Sequence, residues 1–486
     1  MPARHGKDYI EALKRRRPEI WIDGQRVNDP ANHPIFRRPV ESIAKLYDMQ
    51  HEAEWSDILT YPSPDTGDRV GTAFLAPRTP ADLRKRGAAF KACADATFGT
   101  MGRSPDFMNT CLMAFAESPH FFGKHDRRFA ENMRRYYVHC RENDLFLTHA
   151  IVNPQVDRSK ASSEQEDSYA HLREVRETAD GLVVRGAKML ATMAPITDEL
   201  IVYTIPGFRP GDEAYALAFA VPIDAPGLRL ICREPIDRGE RSPFDHPLSS
   251  RFEESDAVCV FEDVLVPWER VFMHGDVEMG NLLHTDTFLR NFNAQQSSAR
   301  ALAKAELLVG IAISLANTVK TDAFLHVQEM LGELLGYLEL VKGIIFLAEE
   351  TAQKTSSGLL CPNLDPYQAL RYHFPRFYSR MVEVVQILGA GGLLMSPTER
   401  DFATEIAPDI DKYYRGAGVS AKERIRLFKL AWDATGDAFG QRQLQYERYY
   451  AGDPVRVAAA HYQQMDKSHL MGIVRRALAD TTVPSP

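Results

Sequence analysis

Polar and titratable residues are concentrated in one stretch, residues 147–158, which reads Leu-Thr-His-Ala-Ile-Val-Asn-Pro-Gln-Val-Asp-Arg. His149 can donate or accept a proton near neutral pH, and the amides that follow it can both donate and accept hydrogen bonds. Asp157 and Arg158 supply opposite charges, while the Asn-Pro pair bends the chain. The stretch therefore suits a functional site, although a well-capped turn between two domains explains the same residues.

This stretch lies where the chain changes from a helical to a strand-like pattern. Residues 126–144 predict a charged helix that leads to it. After it, short β-branched and aromatic runs separated by Gly and Pro predict an antiparallel barrel or sandwich of about 120 residues. These runs begin at Gly181, Glu199, Tyr215, Gly227 and Ala257.

Helical spacing governs the two ends of the chain. Near the N-terminus it predicts helices over 7–17, 40–51 and 80–101 with a hairpin over 19–27. Ser104 as N-cap and Pro at the first helical position predict another helix, which places Arg103 just before its N-terminus. From about Asn293 onward, long amphipathic helices predict a bundle. Their expected ranges include 326–350, 371–391, 420–438 and 456–478. Three domains are expected, at 1–146, 147–275 and 276–486.

Composition limits the classes of function. The chain has 486 residues, of which 44% are apolar and 26% charged, with a net charge of −8. No basic domain stands out, which argues against nucleic acid as the main partner. The six cysteines are scattered without a C-x-x-C pair, so we expect a reduced, cytoplasmic protein without a metal site. We expect no signal peptide and no membrane span.

Motifs throughout the chain resemble those of one enzyme family. They include Met101-Gly-Arg-Ser-Pro-Asp, Thr148-His-Ala-Ile-Val-Asn-Pro-Gln-Val-Asp-Arg, Gly186-Ala-Lys, His246-Pro-Leu-Ser-Ser-Arg-Phe-Glu, Leu430-Ala-Trp-Asp and Met465-Asp-Lys. The chain resembles the large oxygenase component of the two-component, reduced-flavin-dependent phenol hydroxylases, typified by 4-hydroxyphenylacetate 3-monooxygenase. The resemblance implies an α+β, mainly α, acyl-CoA dehydrogenase-like fold. Its parts are an N-terminal helical domain, a middle antiparallel β-barrel and a C-terminal helical bundle.

The resemblance also implies roles for individual residues. Arg103 and His149 match the catalytic pair that faces the phenol hydroxyl group, and Thr204 and Ile205 match positions that line the substrate tail. The residues that match the family's FAD contacts are Gln155, Val156, Asp157, Arg158, Thr192, Ala451, Gly452, Asp453 and Pro454. Phe107 stands in the substrate site where the family usually has Tyr. Loss of that hydroxyl either weakens binding by about 1 kcal/mol or indicates a different substrate, such as a larger phenol or a nitrogen heterocycle.

The activity implied by the resemblance is hydroxylation of a phenol beside its hydroxyl group. A separate NAD(P)H flavin reductase would deliver FADH2 by diffusion, and reaction with O2 would give a C4a-hydroperoxyflavin that must be kept from water. A homotetramer is also implied. Three alternatives stay open. They are a flavin and iron–sulfur dehydratase or isomerase of a hydroxyacyl-CoA, the same oxygenase chemistry on a non-phenolic heteroaromatic, and a helical scaffold without activity. The dehydratase would need cluster-ligating cysteines.

Overall fold

The computed structural model describes residues 3–479. Its helices are α1 (Gly6–Arg15), α2 (Pro34–Met49), α3 (Ser56–Leu59), α4 (Pro80–Ala96), α5 (Pro105–Ala116), α6 (Pro119–Phe122), α7 (Arg127–Glu142), α8 (Ser249–Phe252), α9 (Val277–Asp286), α10 (Leu289–Val319), α11 (Leu325–Glu350), α12 (Leu364–Gly389), α13 (Ala407–Tyr413), α14 (Ala421–Thr435), α15 (Ala438–Tyr449), α16 (Pro454–Gln464) and α17 (Ser468–Ala479). Its strands are β1 (Glu19–Ile22), β2 (Gln25–Val27), β3 (Thr60–Pro62), β4 (Arg69–Gly71), β5 (Leu147–Ala150), β6 (Arg173–Glu177), β7 (Gly181–Thr192), β8 (Glu199–Val202), β9 (Leu217–Pro222), β10 (Leu228–Cys232), β11 (Asp256–Pro267), β12 (Val271–His274), β13 (Gln353–Lys354) and β14 (Leu360–Cys361).

Helices α1 and α4 begin within one residue of their predicted starts, whereas α2 begins at Pro34, six residues before the predicted start at 40. Thr79 caps α4 by accepting a hydrogen bond from the backbone N–H of Asp82, and Pro80 occupies the first helical position. Helix α5 likewise starts at Pro105. The prediction of Ser104 as N-cap of α5 is confirmed, although its hydroxyl accepts no hydrogen bond from the helix backbone and donates instead to the Asp106 carboxylate.

Two sheets form the middle of the molecule. One has the strand order β2-β1-β10-β11-β7-β6, and the other has the order β12-β9-β8-β5. Each contains a parallel pair, β1 with β10 and β5 with β8. The predicted antiparallel barrel is therefore wrong, because within residues 3–479 the sheets do not close and are mixed.

The parallel pairs have a simple origin. The predicted hairpin over residues 19–27 is confirmed as β1 and β2, but it leaves the N-terminal helices and joins the edge of the larger sheet at β10. In the same way, α7 brings β5 to the edge of the smaller sheet beside β8. Long connections of this kind permit parallel pairing, which a short turn does not. The domain boundaries at 146/147 and 275/276 stay predictions.

The C-terminal helices pack around α10, which contacts α4, α5, α11, α12 and α14. By length and composition α10 could cross a membrane, but 56% of its apolar window is buried in this fold, as expected for a core helix. The Gly-rich interruption after α12 is confirmed, since Ala390 there has a φ of 42°. The single helix predicted over 456–478 is two helices, because Met465 is extended between α16 and α17.

Candidate active site

Arg103 and His149 meet at the junction of the three parts of the fold. Arg103 directly precedes the start of α5, and His149 lies on the edge strand β5. The Arg103 Nε–H donates to His149 Nε2 over 3.3 Å. The two residues that the resemblance pairs at the phenol hydroxyl are thus in contact. His149 is buried, with 6% of its surface exposed.

Tyr203 fixes the protonation state of this imidazole. Its hydroxyl lies 2.7 Å from His149 Nδ1. Because a guanidinium can only donate, the Nε2 atom facing Arg103 must accept, so the proton of the neutral ring is on Nδ1 and is donated to Tyr203. Burial, followed by the charge of Arg103, holds the pKa of His149 well below its ordinary value of 6.5. The site therefore presents a neutral histidine whose Nε2 carries no proton at pH 7 and can accept a hydrogen bond.

Phe107 lies against both members of the pair. The Arg103 guanidinium carbon is 4.0 Å from the centre of the Phe107 ring, and the His149 ring packs edge-on at 5.5 Å. The ring therefore holds the cation by a cation–π contact, although it has no hydroxyl to offer a ligand.

Tyr446, on α15, supplies a further ligand to Arg103. The Arg103 Nη1–H donates to the Tyr446 hydroxyl over 2.6 Å. Gly102 makes this approach possible, since a Cβ at that position would lie 2.3 Å from the same oxygen. The next residue along α15, Glu447, is buried between Arg300 at 2.5 Å and Lys304 at 2.6 Å. These ion pairs fix α15 to α10 and so hold Tyr446 in place.

A chain of charges connects Arg103 to Thr192, the predicted flavin contact. The Arg103 backbone N–H donates to Glu254 over 2.8 Å, and Arg442 bridges Glu254 and Asp256. Thr192 Oγ1 donates to Asp256 over 2.7 Å. Burial alone would raise the pKa of Asp256, but the guanidiniums of Arg442 and a second arginine outweigh burial and lower it. The carboxylate is therefore ionised and orients Thr192.

Thr204 and Ile205, the predicted tail-lining residues, directly follow Tyr203. The Thr204 hydroxyl is buried and donates to the Gly280 carbonyl over 2.8 Å, so it is already satisfied by the protein. His284 Nε2–H donates to the Thr204 carbonyl over 2.8 Å. Ile205 is 40% exposed. The structure thus brings both residues beside the pair through Tyr203, with only Ile205 open to a ligand.

The predicted flavin turn, residues 155–158, leaves the buried site and reaches the surface. Gln155, Val156 and Arg158 are exposed, while the Asp157 carbonyl accepts from Gln165 over 2.9 Å. Within residues 3–479, the Arg158 guanidinium has no carboxylate partner within 4.0 Å and the Gln155 amide has no hydrogen-bond partner. Unpartnered donors and a free cation fit an anionic dinucleotide such as FAD.

The predicted C-terminal loop, residues 451–454, joins α15 to α16. Arg371 donates to the Ala451 carbonyl, Gly452 has a φ of 103°, and Asp453 caps α16 directly before Pro454. Just before the loop, Tyr450 stacks on Tyr446 with ring centres 5.1 Å apart. The loop is therefore separated from Arg103 by two stacked aromatic rings.

Three contributors to the site were not found from the sequence. They are Tyr203, Tyr446 and Glu254. Tyr203 could have been suspected because it is adjacent to Thr204, and Glu254 follows directly on the His246–Glu253 motif. No sequence feature indicated a role for Tyr446, since its contact with Arg103 joins residues 343 positions apart.

Two family models together match almost the whole chain. The model described as 4-hydroxyphenylacetate 3-hydroxylase N terminal matches residues 5–273, and the one described as 4-hydroxyphenylacetate 3-hydroxylase C terminal matches residues 279–479. The chain belongs to the 4-hydroxyphenylacetate 3-hydroxylase family. The family predicted from the motifs is thereby confirmed.

Relatives within the 4-hydroxyphenylacetate 3-hydroxylase family align over their full length. The 4-hydroxyphenylacetate 3-monooxygenase oxygenase component of Thermus thermophilus is 44% identical over 99% of this chain and 98% of its own. The component of the same name from a Geobacillus species is 41% identical over 98% and 97%. A crystal structure of such an oxygenase component complexed with FAD and 4-hydroxyphenylacetate has a TM-score of 0.94 at 44% identity, covering 98% of this chain and 99% of that one.

The fold extends beyond the 4-hydroxyphenylacetate 3-hydroxylase family. An archaeal 4-hydroxybutyryl-CoA dehydratase, 22% identical, superimposes with a TM-score of 0.88 over 100% of this chain and 96% of its own. At that identity the likeness concerns the fold alone. Together with the family structures, it confirms the predicted acyl-CoA dehydrogenase-like class, apart from the closed barrel.

Proposed function

We propose that this chain is the oxygenase component of a two-component monooxygenase that hydroxylates a phenol beside its hydroxyl group. The observation that carries the proposal is the buried contact of Arg103 with a neutral His149, in a chain 44% identical to oxygenase components of that activity. The enzyme class, a flavin-dependent monooxygenase, and the cofactors, FAD and O2, agree with the sequence prediction and are confirmed by these relatives.

His149 and Arg103 have different roles at the substrate hydroxyl. Oxygen transfer to a phenol ring is favoured when the ring is electron-rich, as in a phenolate. His149 Nε2 accepts the phenolic proton, since Tyr203 keeps the other ring nitrogen protonated. The Arg103 cation then stabilises the negative oxygen. Phe107 keeps the guanidinium in position and excludes water from the same side.

Residues of the middle and C-terminal parts would hold the cofactor. When bound, reduced FAD supplies the oxygen chemistry with O2. The Thr192 hydroxyl donates its proton to Asp256, so its oxygen would accept a hydrogen bond at the edge of the flavin ring. The exposed turn Gln155–Val156–Asp157–Arg158 and the loop Ala451–Gly452–Asp453–Pro454 would contact the rest of the dinucleotide. Ile205, with Thr204 behind it, would line the tail of the substrate.

The dehydratase alternative lacks the ligands that its iron–sulfur cluster requires. Among residues 3–479, the groups of potential ligand atoms within 4.8 Å of one another are Glu174–Glu177–His274 and His246–Asp433–Asp437, and neither contains cysteine. Thiolates are the usual ligands of such clusters. The alternative is therefore not favoured.

The partners follow from the two-component activity. An oxygenase component requires an aromatic substrate and a separate reductase. We extend the proposal to a cytoplasmic homotetramer that receives FADH2 from the reductase by diffusion, without a role for nucleic acid or membrane. Large apolar side chains exposed on α11 support self-association, namely Leu335, Leu340, Phe346 and Leu347. Light scattering on the purified protein measures the assembly directly.

The test of the activity is isotopic. The protein is incubated with FAD, NADH, a flavin reductase and a panel of phenols under 18O2, and the products are analysed by mass spectrometry. We expect one phenol to give a catechol that carries one 18O atom, and Arg103→Gln and His149→Asn to reduce its formation at least 100-fold. Arg37→Gln, at an exposed position on α2, serves as the control. Only oxidised flavin and hydrogen peroxide, with no catechol from any phenol, would contradict the proposal.

A further inference from the structure

Three acceptors hold the Arg103 guanidinium by two of its three nitrogens. Nη1 donates to the Tyr446 hydroxyl over 2.6 Å and to the Gly102 carbonyl over 3.1 Å. Nε donates to His149 Nε2 over 3.3 Å. Among residues 3–479, no acceptor of the protein takes a hydrogen bond from Nη2. Because the guanidinium is a planar, rigid fork in which Nε–H and one Nη2–H point to the same side, the unused nitrogen lies on the side of His149.

Each group that holds this guanidinium is electrically neutral. In the described part of the chain, no carboxylate oxygen lies within 4.0 Å of the guanidinium, and Glu254 accepts from the Arg103 backbone N–H instead. His149 is neutral because its pKa is held well below 6.5. Burial raises the pKa of Tyr446 above its ordinary value of 10, against the lowering effect of Arg103 and Arg300, so this hydroxyl keeps its proton at neutral pH. The charge of Arg103 is therefore available to an anion.

The Tyr446 ring is fixed by two further cations and a second aromatic ring. The Arg300 guanidinium carbon lies 5.1 Å from the ring centre, and Lys304 Nζ lies 5.4 Å from it. Cations at this distance are attracted to an aromatic face. Both cations are ion-paired to Glu447, and Tyr450 stacks on the same ring. The hydroxyl at the end of the ring therefore has a rigid support.

Gly102 allows the hydroxyl to approach the guanidinium. A Cβ at Gly102 would lie 2.3 Å from the Tyr446 hydroxyl oxygen and 2.7 Å from Cζ of the same ring. Such a contact is relieved by moving the end of the Tyr446 side chain. An alanine at this position would therefore displace the hydroxyl from Arg103 without removing it, which provides a second way to break the contact.

Resting on the proposed function, we propose that Tyr446 is a positioning residue that turns Arg103 toward the phenol oxygen without neutralising its charge. Tyr446 holds Nη1 on the far side of the guanidinium, so that the unused Nη2 meets the phenol oxygen beside His149. A carboxylate in the place of this hydroxyl would hold the guanidinium equally well, but it would cancel the positive charge that favours the ionised phenol. The substrate is thereby bound preferentially as its phenolate.

The test measures the ionisation of a bound phenol. The full chain is loaded with reduced FAD in the absence of oxygen, and 4-nitrophenol is the probe because its anion absorbs visible light. A pH titration of that absorbance gives the pKa of the bound phenol. The variants are Tyr446→Phe, Gly102→Ala and the two combined. The controls are Tyr449→Phe, which is exposed on the same helix, and Tyr137→Phe, which removes a buried hydroxyl that donates to the Phe74 carbonyl over 2.7 Å.

We expect the native protein to lower the pKa of 4-nitrophenol below its value in water. Tyr446→Phe and Gly102→Ala should each raise the pKa of the bound phenol again by about one unit, a roughly tenfold loss of preference for the anion. The combined variant should add little to either change, because both break the same contact. Tyr449→Phe and Tyr137→Phe should leave the pKa of the bound phenol unchanged, although the second should lower the free energy of unfolding.

The outcomes separate the role of Tyr446 from the proposed function. A folded Tyr446→Phe variant, checked by circular dichroism, in which the bound phenol keeps its native pKa would overturn the positioning role. An equal rise in Tyr137→Phe would also overturn it, since the effect would then come from lost stability in general. Native protein that binds no 4-nitrophenol, or binds it without lowering its pKa, would count against the proposed roles of Arg103 and His149, and the role of Tyr446 would fall with them.

Discussion

Replacing Tyr203 by Phe tests the assignment of the His149 proton. The substitution removes one hydroxyl from the 2.7 Å contact with His149 Nδ1 and keeps the ring that packs against Phe115 and His284. A buried N–H left without a partner costs about 1–3 kcal/mol. The free energy of unfolding should fall by that amount.

The catalytic effect has a separate origin. Without Tyr203, the His149 Nδ1–H loses its acceptor and only the Arg103 N–H still favours the proton on Nδ1. The tautomer with the proton on Nε2 cannot accept from Arg103 or from a phenol. If loss of the Tyr203 acceptor shifts the tautomer equilibrium toward Nε2–H by about 1–3 kcal/mol, kcat/KM falls by up to about 5- to 150-fold. Because proton acceptance is affected more than binding, we expect the loss mainly in kcat.

Three measurements check this reasoning. Steady-state kinetics across pH 6–9 separate kcat from KM, 15N NMR of the histidine rings reports the tautomer, and urea unfolding gives the stability. Tyr9→Phe is the matched control, since Tyr9 is equally buried and its hydroxyl donates to the Ile196 carbonyl, away from His149. It should lose similar stability and keep its activity. An unchanged 15N spectrum of His149 with kcat/KM within twofold of the native protein would refute the assignment.

Three further perturbations have defined outcomes. Glu447→Gln removes the carboxylate that bridges the buried Arg300 and Lys304 and should lower the free energy of unfolding by about 3–5 kcal/mol in a urea titration. Glu383→Gln at the surface should leave it unchanged. Burial lowers the pKa of His149 well below 6.5 and that of His284 to about 4. The free energy of unfolding should therefore be highest above pH 6.5 and fall toward pH 4 by up to about 1.4 kcal/mol per pH unit for each group. A urea midpoint that stays constant from pH 7 to 4.5 would contradict this. Lys188→Met removes the amine that donates to Ile151 and Asn153, just before the predicted flavin turn. It should weaken FAD binding several-fold in a fluorescence titration, and unchanged affinity would contradict this role.

The sequence predicted most helices and the two residues that meet at the centre of the site. Arg103 and His149 could be paired because each lies in a motif that resembles the family, and the resemblance implies that the two face the same hydroxyl group. The parallel pairing of β1 with β10 could not be predicted from the sequence. It joins Glu19 to Arg229 across a long stretch of chain, and no local pattern encodes a partner at that distance.

Neighbouring side chains explain the other differences. The Ser104 hydroxyl donates to the Asp106 carboxylate and does not accept from a backbone N–H of α5, an alternative that the motif alone leaves open. The role of Tyr203 was not predicted from the sequence for another reason. It extends an apolar strand, where an aromatic residue is ordinary, and only the parallel pairing of β5 with β8 shows that it reaches His149.

The contact between Arg103 and Tyr446 has a consequence for how the enzyme is made. The two residues are 343 positions apart, so a ribosome adding roughly 5–20 residues per second completes the second about 20–70 s after the first. Until then the Arg103 guanidinium lacks one of its ligands. A nascent chain that has already formed both sheets would therefore still lack the contact that holds Arg103 from the C-terminal side, so the site is completed only late in synthesis.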